Sequence, residues 1–171
     1  EIIIQPLQLK NTGIHLSDNK YVNFATAYTV NDSTGASIDD PYYFTEMYFG
    51  AGFLYSNVLD LLRFDNALFN NKLLSKATTD KMLTINENLG YSAYGLWGAG
   101  GWGNFQETFY YRTGGILGFN ANWIHTMETG KSIIILSNSN TTNLFELTEQ
   151  LYLVSIGKPA TVSKPINSEN K

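Results

Sequence analysis

Three strand-sized segments close together near the C-terminal end constrain this chain more than any other feature. Phe105 to Arg112, Phe119 to His125 and Ser132 to Ser137 each read as an extended, largely apolar run. The last two are separated only by Glu128-Thr129-Gly130-Lys131, a compact glycine-containing turn of hairpin type. So short a connection joins antiparallel neighbours, so the segments predict an antiparallel sheet. A helix follows at once. Asn143 with Glu146 three residues on resembles a capping box, Leu144, Leu147, Leu151 and Val154 recur at helical spacing, and Gly157 and Pro159 end the run.

The remainder of the chain supplies further helices and one more hairpin-like region. Val22, Phe24, Thr26, Tyr28 and Val30 fall on one face of an extended segment that stops at Asn31-Asp32-Ser33-Thr34-Gly35, which predicts a strand and a turn. Tyr42, Tyr43, Phe44, Tyr48 and Phe49 crowd the stretch from Gly35 to Gly52, first read as a loop packed on a core and second as the wall of a cleft. Ser56 is placed to cap a helix whose apolar stripe is Val58, Leu61, Leu62, Phe64 and Leu68, with Asp60, Arg63 and Asn66 outward and an end near Asn70-Asn71. A shorter helix starts behind Ser75 and is over by about Asn86. Tyr94 to Trp102, rich in glycine, suits a bent strand running into a loop. The fold class is therefore α+β of the α/β sandwich type, an antiparallel sheet with packed helices and a C-terminal helix. Residues 1–158 form one domain portion, and 159–171, with only Val162 and Ile166 as large apolar residues after Pro159, form a flexible tail.

Composition excludes several functions. With 171 residues, 43% hydrophobic and 15% charged, the chain can bury a core. Its net charge of -4 and the absence of a Lys/Arg cluster remove the electrostatic footprint that nucleic acid or an anionic membrane requires. It has no cysteine, so no disulfide or thiol nucleophile enters. Its apolar runs, such as Ile2 to Ile4 and Ile133 to Leu136, fall far short of the roughly 20 residues that span a bilayer. Glu1 followed at once by apolar residues reads as a cut or mature boundary.

Four local sequences in a fixed order carry a family resemblance. They are Pro6-Leu7-Gln8-Leu9-Lys10-Asn11-Thr12-Gly13, then Gly50-Ala51-Gly52-Phe53-Leu54-Tyr55-Ser56-Asn57 with Asp60-Leu61, then Tyr94-Gly95-Leu96-Trp97. The fourth is Arg112-Thr113-Gly114-Gly115-Ile116-Leu117-Gly118-Phe119 with Ile133-Ile134-Ile135-Leu136-Ser137-Asn138 behind it. Together they resemble the C-terminal part of class C β-lactamases, penicillin-binding DD-peptidases and their esterase relatives, over residues 6 to 157.

That resemblance implies acyl transfer, in which a serine attacks a carbonyl, a lysine and a tyrosine manage the proton, and backbone N–H groups hold the oxyanion. Of the family's three motifs only the sheet-edge triad is found here. Arg112 takes the place of the family's Lys or His, where a fixed charge is placed to steer a substrate carboxylate or to favour an ionised tyrosine; Thr113 is placed to hydrogen-bond the carboxylate. Gly114 lets a substrate backbone approach, and the N–H of Gly115 falls at the second oxyanion-hole position. A guanidinium does not release its proton in proteins, which makes Arg112 a binding residue rather than an acid or base.

Other motif matches fail on context. S-x-x-K occurs at Ser17, Ser155 and Ser168, none of which opens an apolar helix as the nucleophile must. Y-x-N occurs at Tyr21-Val22-Asn23 and Tyr55-Ser56-Asn57, both read as structural, because the family's tyrosine motif lies ahead of the Pro6-Leu7 segment. The two histidines, His15 and His125, lack metal-ligand spacing, and His125 at a strand end reads as a surface residue. No metal or cofactor is expected.

The expected function is the C-terminal portion of a serine hydrolase acting on a β-lactam, a D-Ala-D-Ala peptide or an ester, inactive alone, with its nucleophile and tyrosine in an upstream segment or another chain. The expected partners are a small-molecule or peptide substrate and that missing part. An extracytoplasmic address follows from the resemblance only. The alternatives are a non-catalytic peptide- or glycan-binding module of the same fold, and a fragment that completes its fold only with a partner.

Overall fold

A computed structural model describes residues 2–16, 20–31, 33–39, 45–116 and 118–161. Its centre is a four-stranded antiparallel sheet in the order β5-β6-β7-β8, formed by Trp97–Gly100, Thr108–Ile116, Phe119–Thr126 and Ser132–Ser137. β1 (Gly13–Ile14) pairs with β4 (Leu54–Tyr55), and β2 (Tyr28–Val30) with β3 (Ser37–Asp39), each pair antiparallel. The helices are α1 (Val58–Phe69), α2 (Lys76–Met82) and α3 (Leu144–Ser155), with 3-10 turns at Thr45–Ala51 and Glu87–Leu89.

Both faces of the sheet are covered, which is why its strands read as continuous apolar runs rather than alternations. Phe105, Phe109 and Ile124 pack with Tyr152 of α3 in one core cluster. Tyr110, Leu83 and Leu96 form a second, against which Phe69 of α1 and Trp123 pack. β6 begins three residues later than expected and continues through Ile116, because Phe105 leaves the strand to plug the core and the Arg-Thr-Gly-Gly run stays extended beside β7. A buried carboxylate fixes the hairpin between β7 and β8. Glu107 accepts the N–H groups of Glu128 and Thr129 at 3.1 and 2.8 Å, the Thr129 hydroxyl at 2.8 Å and the Tyr152 hydroxyl at 3.0 Å.

Helix ends follow side-chain caps. Asn143 accepts the N–H of Glu146, Ser75 that of Thr78, and Gly157 turns out of α3 at φ 72°. At α1 the cap is Asn57, one residue after the expected Ser56, whose hydroxyl lies 2.7 Å from that of Thr12 instead. Asp60, expected outward, is fully buried. It holds the N-terminal segment, accepting the Asn11 N–H at 2.7 Å, the Thr12 hydroxyl at 3.0 Å and Arg63 at 2.6 Å.

The expected strand over residues 21–30 survives only as Tyr28–Val30. Ahead of it the chain turns at Asn23 (φ 59°), and Val22 is exposed. Tyr21 and Phe24 join the rings of His15 and Tyr55; among the described residues no strand pairs with this segment, and ring packing decides it. In the aromatic stretch Tyr48 and Phe49 are exposed, so these two do not pack on a core; Tyr42, Tyr43 and Phe44 lie outside the described residues. Of the expected tail, Thr161 donates its N–H to Gln150 of α3 at 2.6 Å, and residues 162–171 lie outside the described set.

Candidate functional site

β5 pairs with β6 only from Thr108 to Tyr111. Beyond that point Arg112 to Ile116 is paired to β7 on one side, Arg112 opposite Trp123 through Ile116 opposite Phe119, and among the described residues no strand pairs with it on the other. Arg112, Thr113, Gly114 and Gly115 are all exposed. The four site residues expected from sequence thus share one half-strand whose backbone N–H and C=O groups on that edge have no strand partner.

Each has a distinct local setting. The Arg112 guanidinium lies 4.3 Å above the ring of Trp97, the first residue of β5 and the one beside the opening, so the charge is held at the lip of the edge by a cation–π contact. Thr113 stands opposite Asn122, which is buried and donates to the Thr148 hydroxyl of α3 at 2.7 Å. A Cβ on Gly114 would meet only the Ala121 side chain at 3.7 Å, an ordinary contact, so nothing within the fold demands glycine there. Gly118 is different. A Cβ there would fall 2.5 to 2.7 Å from backbone atoms of Tyr28, which bridges Ser139 at the end of β8.

The end of this half-strand meets the 3-10 turn at Thr45–Ala51. Gly52 lies near both Tyr48 and Ile116, and Phe49 in the same turn adopts φ 44° and ψ −131°, a conformation a bulky side chain rarely takes. Behind Phe119, Phe24 and Tyr55 continue the aromatic wall. The Tyr55 hydroxyl lies where a Cβ on Gly13 would be 2.8 Å away, so Tyr55 packs flat on the glycine of the first family-like segment. Tyr21 hydrogen-bonds the N–H of Leu16 at 2.7 Å. Both tyrosines of the Y-x-N matches are therefore packing residues.

Among the described residues no nucleophile completes the site. Ser155, at the end of α3, donates to the Tyr152 carbonyl at 2.7 Å, and among the described residues no serine hydroxyl is hydrogen-bonded to a lysine. Ser17 and Ser168 lie outside the described residues. No group of His, Asp and Glu capable of holding a metal occurs among the described residues.

The structure does contain an Asp, a His and a Ser in contact, which the sequence reading missed. His125 is buried rather than on the surface, with Nδ1 at 3.0 and 3.1 Å from the carboxylate oxygens of Asp65 and 3.2 Å from Ser132 Oγ. Ser132 also donates to Asp65, as does Trp123 at 2.6 Å, and Phe69 stacks on the imidazole at 3.6 Å. This is not a hydrolase triad. Asp and Ser occupy the same ring nitrogen, whereas general-base catalysis needs the serine on the other. The cluster locks α1 to β7 and β8. The available signal was Asp65 and Phe69 one helical turn apart; a histidine on a strand with two covered faces shows no alternation to reveal its burial.

An antiparallel sheet with helices packed against it matches the β-lactamase-like fold. The chain belongs to the Beta-lactamase family, whose model matches residues 1–157. No curated protein matches the sequence. Among solved structures, the chain is similar to the octameric penicillin-binding protein homologue from Pyrococcus abyssi, with 19% identity and a TM-score of 0.75 over 91% of this chain and 36% of that one. It is also similar to the D-amino acid amidase from Ochrobactrum anthropi SV3 (18% identity, TM-score 0.66, 80% of this chain and 43% of that one). A third is FmtA from Staphylococcus aureus (20% identity, TM-score 0.67, 96% and 45%). The chain spans less than half the length of each of these structures. No helix among the described residues is long and apolar enough to cross a membrane.

Proposed function

We propose that this chain supplies the substrate-binding wall of a serine acyl-transfer hydrolase and not its nucleophile. The observation that carries the reading is the half-strand Arg112 to Gly115: exposed, unpaired on one side, and glycine at a position where the fold itself would accept a side chain. An extended substrate adds to such an edge as a further strand. In this arrangement Arg112, braced by Trp97, attracts the substrate carboxylate, and the Thr113 hydroxyl donates to it. Gly114 leaves room for the substrate backbone, and the Gly115 N–H donates to the oxyanion that develops when the carbonyl is attacked.

The substrate class is a β-lactam, a D-Ala-D-Ala peptide or an ester; the D-amino acid amidase among the structural neighbours is consistent with an acyl group of D configuration. The nucleophilic serine, its lysine and the motif tyrosine then belong to an upstream segment or another chain. Residues 1–158 act as one domain portion with the rest as a tail, in an extracytoplasmic protein. The isolated chain is expected to hydrolyse neither nitrocefin nor p-nitrophenyl esters, whereas the polypeptide extended upstream does, with a raised KM on Arg112→Ala. Turnover by the isolated chain that is abolished by Ser17→Ala overturns the reading.

The exposed Tyr94 and Trp102 favour one second reading, a non-catalytic peptide- or glycan-binding module. Ligand binding that survives Arg112→Ala and is lost on Trp102→Ala would select it.

A further inference from the structure

Trp97 braces the Arg112 guanidinium on one face only. Arg112 is exposed, and among the described residues no carboxylate pairs with it and no second ring stacks on it. A guanidinium binds a carboxylate through the N–H groups at its edge and an aromatic ring through its flat face, so the two contacts do not compete. The second face of Arg112 is therefore open for a ring.

The approach to β5 supplies a wall beside it. The chain doubles back at Tyr94-Gly95, where the Ala93 N–H donates to the Leu96 carbonyl at 2.8 Å, Ser92 bridges Trp97, and Gly95 takes the positive φ of 82° that the turn requires. Trp97 stands opposite Tyr111 and the two strands are antiparallel, so each step back from Trp97 is a step forward from Tyr111. The turn thus falls level with Arg112 and Thr113, across the gap where pairing has ended. Two anchors hold it there: Leu96, buried against the cluster of Leu83 and Tyr110, and the Tyr94 N–H, which donates to the Met82 carbonyl at 3.0 Å. Tyr94 itself is 67% exposed. Scattered exposed tyrosines are ordinary surface, but one whose backbone is fixed beside a cation with an open face is placed for a ligand.

We propose that Arg112, Trp97 and Tyr94 form a subsite for the leaving-group half of the substrate, and that this half is an aromatic amino acid with a free carboxylate. The carboxylate takes the guanidinium edge and the Thr113 hydroxyl. The ring lies on the open guanidinium face, on the side walled by Tyr94, so that Arg112 is held between two aromatic surfaces. A methyl side chain, as in D-alanine, is too short to cover that face. A peptide that continues past its carboxyl end is a poor occupant, because β5 fills the β6 edge from Tyr111 back to Thr108 and an extended substrate has to stop where that pairing begins. The subsite rests on the reading of Arg112 as the carboxylate-binding residue and adds the side chain that accompanies the carboxylate.

Binding to residues 1–171 tests it without turnover, because all three side chains lie in this chain. N-acetyl-D-phenylalanine, N-acetyl-D-alanine and N-acetyl-D-phenylalanine amide are titrated into isotope-labelled protein and followed by NMR at the Trp97 indole N–H. The aromatic acid is expected to bind about fivefold more tightly than the alanine acid, through the added ring contact. Its amide should bind at least about tenfold more weakly than the acid, having lost the charged hydrogen bonds. Arg112→Lys keeps the charge and loses the flat face, and should bring the two acids within about twofold of each other; Tyr94→Ala should reduce the preference in part. The same order is expected in the polypeptide extended upstream, read as KM for acyl-D-alanyl-D-phenylalanine against acyl-D-alanyl-D-alanine. Equal affinities or equal KM values for the two side chains, with binding lost on Arg112→Gln, overturn the aromatic subsite and leave the carboxylate-binding reading standing. A preference that survives both Arg112→Lys and Tyr94→Ala overturns the subsite as well, as does the absence of any shift with the aromatic acid at millimolar concentration. Acid and amide binding alike overturns both the subsite and the carboxylate-binding reading.

Discussion

The carboxylate of Asp60, on the first turn of α1, accepts the backbone N–H of Asn11 at 2.7 Å across 49 positions of sequence. That bond and the Thr12 hydroxyl on the same oxygen join two of the segments that resemble the family, Pro6 to Gly13 and Gly50 to Leu61. Hydrogen bonds to a charged group contribute about 1.5–3 kcal/mol. Asp60→Asn is therefore expected to lower unfolding stability by about that amount, read as a shift in the urea midpoint at constant slope, and Asp60→Ala by more.

Two groups give the stability a stepped dependence on acid. Burial holds His15 below its ordinary 6.5, with Glu46 opposing. The folded state thus resists a proton that the unfolded chain accepts, and stability falls as pH drops through 6.5 toward the folded value. Burial pushes the Glu107 carboxyl up, but the bonds from the Thr129 side chain and N–H, Tyr152 and the Glu128 N–H outweigh it and hold it below 4.5. Its contribution is complete above 4.5 and is lost as pH falls through the folded value. Thermal melts at successive pH values should show both declines, with His15→Phe flattening the first and Glu107→Gln the second.

The Asp65, His125 and Ser132 contact predicts stability without catalysis. Asp65→Leu leaves Trp123, His125 and Ser132 with lost partners and should cost about 2–4 kcal/mol. Ser132→Ala should cost about 1 kcal/mol and leave kcat and KM of the upstream-extended polypeptide unchanged. A fall in kcat of tenfold or more at full folding would make Ser132 a participant in the chemistry.

Gly114 and Gly118, four residues apart, should respond oppositely to alanine. Gly118→Ala drives a Cβ into the backbone of Tyr28 and should cost about 1–3 kcal/mol, detected as a lower melting temperature. Gly114→Ala should stay within about 0.5 kcal/mol of the parent, since only Ala121 is near, and show its effect instead as a raised KM in the extended polypeptide.

Trp97 holds the Arg112 guanidinium by its ring face. Trp97→Leu should weaken carboxylate-bearing substrates or inhibitors by the worth of that contact, about 0.5–1 kcal/mol, or roughly two- to fivefold in affinity. Ligands without a carboxylate should bind equally to both forms.

Much of this molecule is legible in the linear sequence where the signal is local. The caps at Ser75 and Asn143 and the turn at Gly130 depend on neighbours a few residues away, and the structure places them as expected. Segments whose state depends on distant partners were not legible. Asp60 and His125 are polar residues that pattern alone sends to the surface, and each is buried because a group 48 to 60 positions away satisfies it. Residues 21–27 alternate like a strand, yet ring packing against His15 and Tyr55 took that segment instead.

The order of elements, the antiparallel meander with its closing helix, and the Arg112 to Gly115 motif were determined by the sequence itself, because turn chemistry, helical spacing and a four-residue motif act over short range. Only the tertiary structure decided that this motif lies where the pairing with β5 stops short and that, among the described residues, its edge and the outer edge of β8 have no strand partner. Which strand ends first, and which strand has no neighbour, are set by pairing between segments far apart in the chain, and a sequence pattern records a strand's faces but not its edges.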